Sequence, residues 1–237
     1  LVPSGDAPLS EEQLTRSLRA LARLHATFYG FPAKLMAGLG LCIPSHWLTL
    51  LAPVTAEREA ASVPRDPVTS HILPGWDAFA RVVPDAWAVV APLLADPLPV
   101  VLSLRACPDT FVHGDAKVGN LAFSGEQVML LDWSQTLRAP GGLDLGWYLA
   151  VNSARLPVSR AAAIEVYRAA REEHGRLPTA GEQWERELAL SLLAGTLRLG
   201  WAKALGASSD DPAKRARERA ELDYWADAAL AAQRWLG

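Results

Sequence analysis

Phe111-Val112-His113-Gly114-Asp115-Ala116-Lys117-Val118-Gly119-Asn120, followed by Leu130-Leu131-Asp132-Trp133, is the stretch on which the reading of this chain turns. Phe111-Val112 has the character of a short apolar strand, and the polar residues after it form a loop. A turn at Ser124-Gly125 then separates two further strands, the second running into Asp132. Three oxygen-bearing side chains, Asp115, Asn120 and Asp132, are thereby expected at the ends of neighbouring strands. Such a set suits one carboxylate that orients a hydroxyl and two hard oxygen donors for a magnesium-bound phosphate.

The spacing narrows the chemistry. Four residues separate Asp115 from Asn120, the pattern of a kinase catalytic loop, in which the Asp takes the substrate proton and the Asn holds a metal. Lys117, two places after Asp115, puts a positive charge within reach of a transferring phosphoryl group. Asp132 stands where the metal-binding Asp follows, with Trp133-Ser134 in the place of Phe-Gly.

With Gly114 after His113, these residues resemble the aminoglycoside phosphotransferase and choline kinase family of small-molecule kinases. The elements carrying the resemblance are His113-Gly114-Asp115, Asn120, Leu131-Asp132-Trp133 and Asp144-Leu145-Gly146. It is good over residues 111–150 and loose elsewhere. It implies a protein-kinase-like fold with Asp115, Lys117 and His113 in the catalytic loop, His113 orienting the loop through hydrogen bonds. It implies Asn120 and Asp132 as holders of Mg²⁺, and Lys117, Asn120 and Asp132 around the phosphates of ATP or GTP. The equivalent of Asp144 braces the loop from beneath. Leu21-Ala22-Arg23-Leu24-His25 is similar to the helix after the interlobe hinge, with His25 expected to be a packing histidine.

The bulk of the chain agrees with an ordinary globular enzyme. It has 237 residues, 50% of them hydrophobic and 21% charged, enough for one large domain or two small ones. A net charge of −3 leaves no footprint for nucleic acid or an anionic membrane. Cys42 and Cys107 make no disulfide framework, and no Cys/His cluster has zinc spacing. No uninterrupted apolar run reaches the roughly 18 residues of a membrane span, and no signal peptide is visible, so the cytoplasm is the expected location. Nothing in the sequence sets an oligomeric state.

Outward from the loop, Ser10 and Gln13 form a capping box for a helix over 10–29, with Leu14, Leu18, Leu21, Leu24 and Phe28 on one face. Residues 31–108 hold eleven of the seventeen prolines, which predicts irregular chain with short helices over 56–61 and 85–94, the second limited by Pro92. Trp47, Trp76 and Trp87 are expected in the core in preference to a substrate entrance. A buried helix over 143–153 carries Asp144, whose burial demands partners. Helices then start at Ser159, at Thr179 with Glu182, and at Asp211-Pro212. Residues 188–201 are apolar on nearly all faces, so their helix is expected to be covered by neighbours. Leu222, Trp225, Ala229, Ala232 and Leu236 give the last helix one packing stripe, and residues 214–219 a solvated basic face.

The expected fold class is α+β, mostly helical: the carboxy-terminal lobe of a protein-kinase-like phosphotransferase, with a small β-hairpin carrying the catalytic loop. Its expected divisions are a post-hinge helix (1–30), a substrate-side region (31–110), the catalytic loop and metal-binding hairpin (111–133) and a helical subdomain (143–237). Nothing before residue 110 reads as a Val-Ala-x-Lys strand, a Gly-rich hairpin or a phosphate loop, so the nucleotide-clamping lobe is expected to be absent from this chain. The expected acceptor is a hydroxyl of an aminoglycoside, sugar, amino sugar or amino alcohol. Twelve acidic against twelve basic residues over 159–237 give no surplus acid for a polycation. The alternative is a degenerate kinase lobe serving as a binding module, although all three oxygen-bearing residues are present. A metal hydrolase built on His113 and Asp115 lacks further ligands at spacing, and a serine hydrolase lacks its Gly-x-Ser-x-Gly elbow.

Overall fold

Ser10 opens the first helix as its capping box requires. Its hydroxyl accepts from the Gln13 amide at 3.1 Å, while the Gln13 side chain accepts from the Ser10 amide at 3.0 Å. The computed structural model describes residues 7–32, 37–60, 68–175 and 177–237. In chain order the helices are α1 (Glu11–Phe28), α2 (Pro44–Thr49), α3 (Pro53–Ala60), α4 (Thr69–Val82), α5 (Pro84–Ala95) and α6 (Leu98–Leu104). Strands β1 (Thr110–Val112), β2 (Leu121–Ser124), β3 (Gln127–Leu130) and β4 (Leu137–Ala139) follow. Helices α7 (Gly142–Val151), α8 (Arg160–His174), α9 (Gly181–Ala207) and α10 (Pro212–Ala232) complete the described chain.

Two compact units share these elements. Leu1–Pro44 with Leu104–Ser191 form one, and Ser45–Ser103 with Leu192–Gly237 the other. In the first, α1 packs along α8 and against β1 and α7. Its strands make two antiparallel pairs: β1 with β4 (Thr110 opposite Ala139, Val112 opposite Leu137) and β2 with β3 (Leu121 opposite Leu130). The expected hairpin is present as β2–β3, with Gly125 at its turn in the left-handed region (φ 51°). The His113–Asn120 loop, expected to be carried by that hairpin, does not ride on it alone. It leaves β1 of one sheet and enters β2 of the other, so both sheets hold it. A three-residue strand such as β1 has no local turn to name its partner, which is why this pairing is invisible in sequence.

In the second unit α4 packs on α3 and α5, and α5 on α10. The prolines here do not forbid helix as expected. Pro74 sits inside α4, and α5 runs past Pro92 to Ala95. Each proline removes one backbone hydrogen bond, but Ile72, Trp76 and Phe79 of α4 and Val90, Leu93 and Leu94 of α5 are buried, and that packing outweighs the loss. The helix expected over 56–61 is α3, and residue 61 lies outside the described residues. Trp47 and Trp76 are buried as expected, with the Arg198 guanidinium 4.3 Å from the Trp47 ring centre.

Further along, Ser159 caps α8 and Asp211 caps α10 ahead of Pro212, as their sequences predict. Helix α9 is long and apolar enough to cross a membrane, yet 67% of its most apolar window is buried inside the protein. It also carries the buried polar side chains of Glu187, Arg198 and Lys203, which is the character of a core helix.

Candidate active site

Helix α7 is buried along its whole length from Gly142 to Ala150, and Asp144 sits in its first turn. A carboxylate there is affordable only with donors around it. The Asp144 oxygens accept the backbone amides of His113 and Gly114, each at 2.8 Å, and lie 3.0 Å from His25 Nε2. An ionised carboxylate only accepts, so Nε2 of His25 carries the proton and Nδ1 accepts from the Tyr167 hydroxyl at 2.7 Å. Burial pushes the Tyr167 phenol far above its usual range, which keeps that donor protonated. His25, expected only to pack, is thus part of the brace beneath the loop.

The same buried layer continues to the start of α7. Arg171 makes two hydrogen bonds to Glu187, at 2.7 and 3.1 Å, with both side chains fully buried. Glu187 Oε1 then accepts the Gly142 amide at 2.8 Å. Breaking a buried pair of this kind typically costs about 3–5 kcal/mol, because the remaining charge keeps no partner.

On this floor the loop takes its shape. Gly114 has φ +81°, a conformation suited to glycine. Asp115 is 2% exposed, and three donors meet its carboxylate. Lys117 Nζ (2.7 Å) and Asn120 Nδ2 (3.0 Å) donate to Oδ2, and Trp147 Nε1 (2.9 Å) donates to Oδ1. Asn120 Nδ2 also bonds the Asp115 carbonyl at 3.0 Å, and the Val118 amide donates to Asn152 Oδ1 at 3.0 Å. His113 is hydrogen-bonded at both ring nitrogens. Its Nδ1 accepts the Asp115 amide at 3.2 Å, which leaves Nε2–H to donate to the Leu131 carbonyl at 2.9 Å.

That last bond ties the loop to the residue preceding Asp132. Asp132 is in the left-handed region (φ 58°), uncommon for a residue with a side chain. Its Oδ1 accepts the Ser134 hydroxyl at 2.6 Å and the Ser134 amide at 3.3 Å. The Ser134 hydroxyl first, then its amide and more weakly the Lys117 charge, hold the exposed carboxyl below the usual range.

The structure therefore brings Asp115, Lys117 and Asn120 into direct contact and links Asp132 to them through His113. Among the described residues no group of three or more His, Cys, Asp or Glu side chains is placed to hold a metal ion. The donor set that is present, one ionised carboxylate (Asp132) and one amide oxygen (Asn120), fits Mg²⁺, which usually takes one or two protein oxygens and completes its shell with water and phosphate. Trp147, Tyr167, Arg171 and Glu187, each within a helix, and Asn152, just past the end of one, escape a reading of the sequence, because the local pattern there reports only packing.

The model of the phosphotransferase enzyme family (APH) matches residues 2–188, a stretch that includes every residue of this site from His25 to Glu187. The chain belongs to this family. No curated protein matches it. Solved structures similar to the chain include a choline/ethanolamine kinase family protein from Mesorhizobium loti (15% identity, TM-score 0.49). The match covers 94% of this chain and 65% of that one. An aminoglycoside phosphotransferase from Alicyclobacillus acidocaldarius matches at 15% identity and TM-score 0.46, over 99% of this chain and 67% of that one. Choline kinase from Cryptosporidium parvum matches at 10% identity and TM-score 0.49, over 99% and 73%. This phosphotransferase-family chain thus spans between 65% and 73% of the length of those three structures.

Proposed function

We propose that the protein transfers the γ-phosphoryl group of ATP or GTP to a hydroxyl of a small molecule, with Asp115 as the base. The observation that carries this reading is the Asp115 carboxylate, almost fully buried and held by donors from Lys117, Asn120 and Trp147. Phosphoryl transfer asks the protein chiefly for position and charge. The acceptor oxygen forms a bond to the γ-phosphorus as the bond from that phosphorus to the β–γ bridging oxygen breaks. The hydroxyl proton passes to Asp115, and the nucleoside diphosphate carries away the bridging oxygen and its electron pair.

Lys117 has a side chain 41% exposed, so its ammonium can turn from Asp115 towards a phosphate oxygen. Asn120 and Asp132 would hold Mg²⁺, which when bound neutralises charge on the phosphate oxygens. His113 keeps the loop and the Asp132 segment in register. None of the four described strands contains the lysine with which kinases of this type clamp the nucleotide. The acceptor class is a sugar, amino sugar, aminoglycoside or amino alcohol, and the place of action the cytoplasm, where nucleoside triphosphates are abundant. Joint presence of Asp115, Asn120 and Asp132 argues against a non-catalytic binding lobe.

The test is nucleotide consumption by the full-length protein with Mg²⁺, ATP or GTP and a panel of those acceptors. Asp115→Asn is expected to lower kcat by about 10²-fold or more, the usual worth of a positioned base. Turnover that survives the substitution rejects the assignment.

A further inference from the structure

Helix α7 and the Asn152 that follows it touch the His113–Asn120 loop at three heights. Asp144 takes the His113 and Gly114 amides, Trp147 donates to the Asp115 carboxylate, and Asn152 takes the Val118 amide. Two of these contacts fix backbone. The third reaches the reacting group itself, from a side chain that is 5% exposed. An indole N–H is a donor without acceptor capacity and does not itself titrate.

A carboxylate offers about four acceptor positions, two on each oxygen. Lys117 and Asn120 occupy both positions on Oδ2, and Trp147 occupies one on Oδ1. We propose that Trp147 is a positioning residue: its N–H sets the rotation of the Asp115 carboxylate and leaves the second position of Oδ1 as the one that meets the acceptor hydroxyl. The assignment rests on the phosphotransferase reading of Asp115 given above. Without the indole N–H, Oδ1 loses its fixed donor and the carboxylate can pivot about the Lys117 and Asn120 bonds to Oδ2, so its basic lone pair meets the hydroxyl in only part of its orientations.

The experiment uses the full-length protein with MgATP, taking water as the acceptor so that no substrate need be known. Trp147→Phe removes the N–H, and benzothienylalanine at the same position replaces the N–H by sulfur while keeping the bicyclic shape. Both are expected to lower kcat roughly 10- to 100-fold, the range of one hydrogen bond to a charged group, with KM for ATP unchanged. The benzothienyl protein is expected to stay folded and to melt only a few degrees below wild type, the cost of one buried hydrogen bond. If it turns over at the wild-type rate, Trp147 only packs and the inference is overturned, even where Trp147→Phe fails to fold. If Asp115→Asn keeps its turnover in the same assay, the phosphotransferase reading itself fails and this inference falls with it. Loss in Asp115→Asn with no loss in the Trp147 proteins overturns the positioning role alone.

Discussion

A Cβ placed on Gly114 would lie 2.0 Å from the backbone carbonyl oxygen of Gln135. The His113–Asn120 loop and the segment after Asp132 therefore meet closely at this point, and the Gln135 carbonyl, being backbone, cannot swing aside. The φ of +81° adds a second obstacle for any other residue. Gly114→Ala is expected to abolish phosphoryl transfer and to lower stability by at least about 2 kcal/mol, combining left-handed strain with a backbone clash. Denaturant unfolding and an ATP-consumption assay check this together. An active, fully stable alanine variant would show that the two segments do not meet.

Asp144 serves three buried donors, the amides of His113 and Gly114 and the His25 imidazole. Asp144→Ala strips all of them of an acceptor at once and is expected to destabilise the fold by roughly 3–5 kcal/mol. Asp144→Asn retains one acceptor oxygen but turns an NH₂ towards at least one donor, so it is expected to fall between alanine and wild type. Thermal melting gives the order. A melting temperature for Asp144→Ala within about 2 °C of wild type would contradict the brace.

The carboxyl of Asp132 grips a cation only when ionised, and the Ser134 hydroxyl is the first cause of its low pKa. A depressed pKa keeps the charged form populated to lower pH. Ser134→Ala removes the hydroxyl donor and raises that pKa, so the acid limb of the Mg²⁺-dependent rate is expected to move to higher pH. The plateau above neutrality is expected to hold, because the carboxylate is ionised there in both proteins. Coincident acid limbs for the two proteins would remove Asp132 from the metal-binding role.

What the sequence discloses here is mostly what is local. The Ser10 capping box, the Asp211-Pro212 start and the loop from His113 to Asn120 each lie within a few residues, and their geometry follows from spacing. The need of Asp144 for partners is also legible, since a lone acid in an apolar run must be satisfied. Its partners are not. His25 lies 119 residues away, and Trp147 meets Asp115 across 32. No propensity or period encodes which donor a fold will bring to a given acceptor. The prolines at 74 and 92 mislead for the same reason, since their local cost is visible and the buried faces that offset it are not.

Because α7 is covered from Gly142 to Ala150, the layer beneath Asp115 has no private way to loosen. It can soften only when the interior of its unit opens, so the machinery and the core share one melting fate.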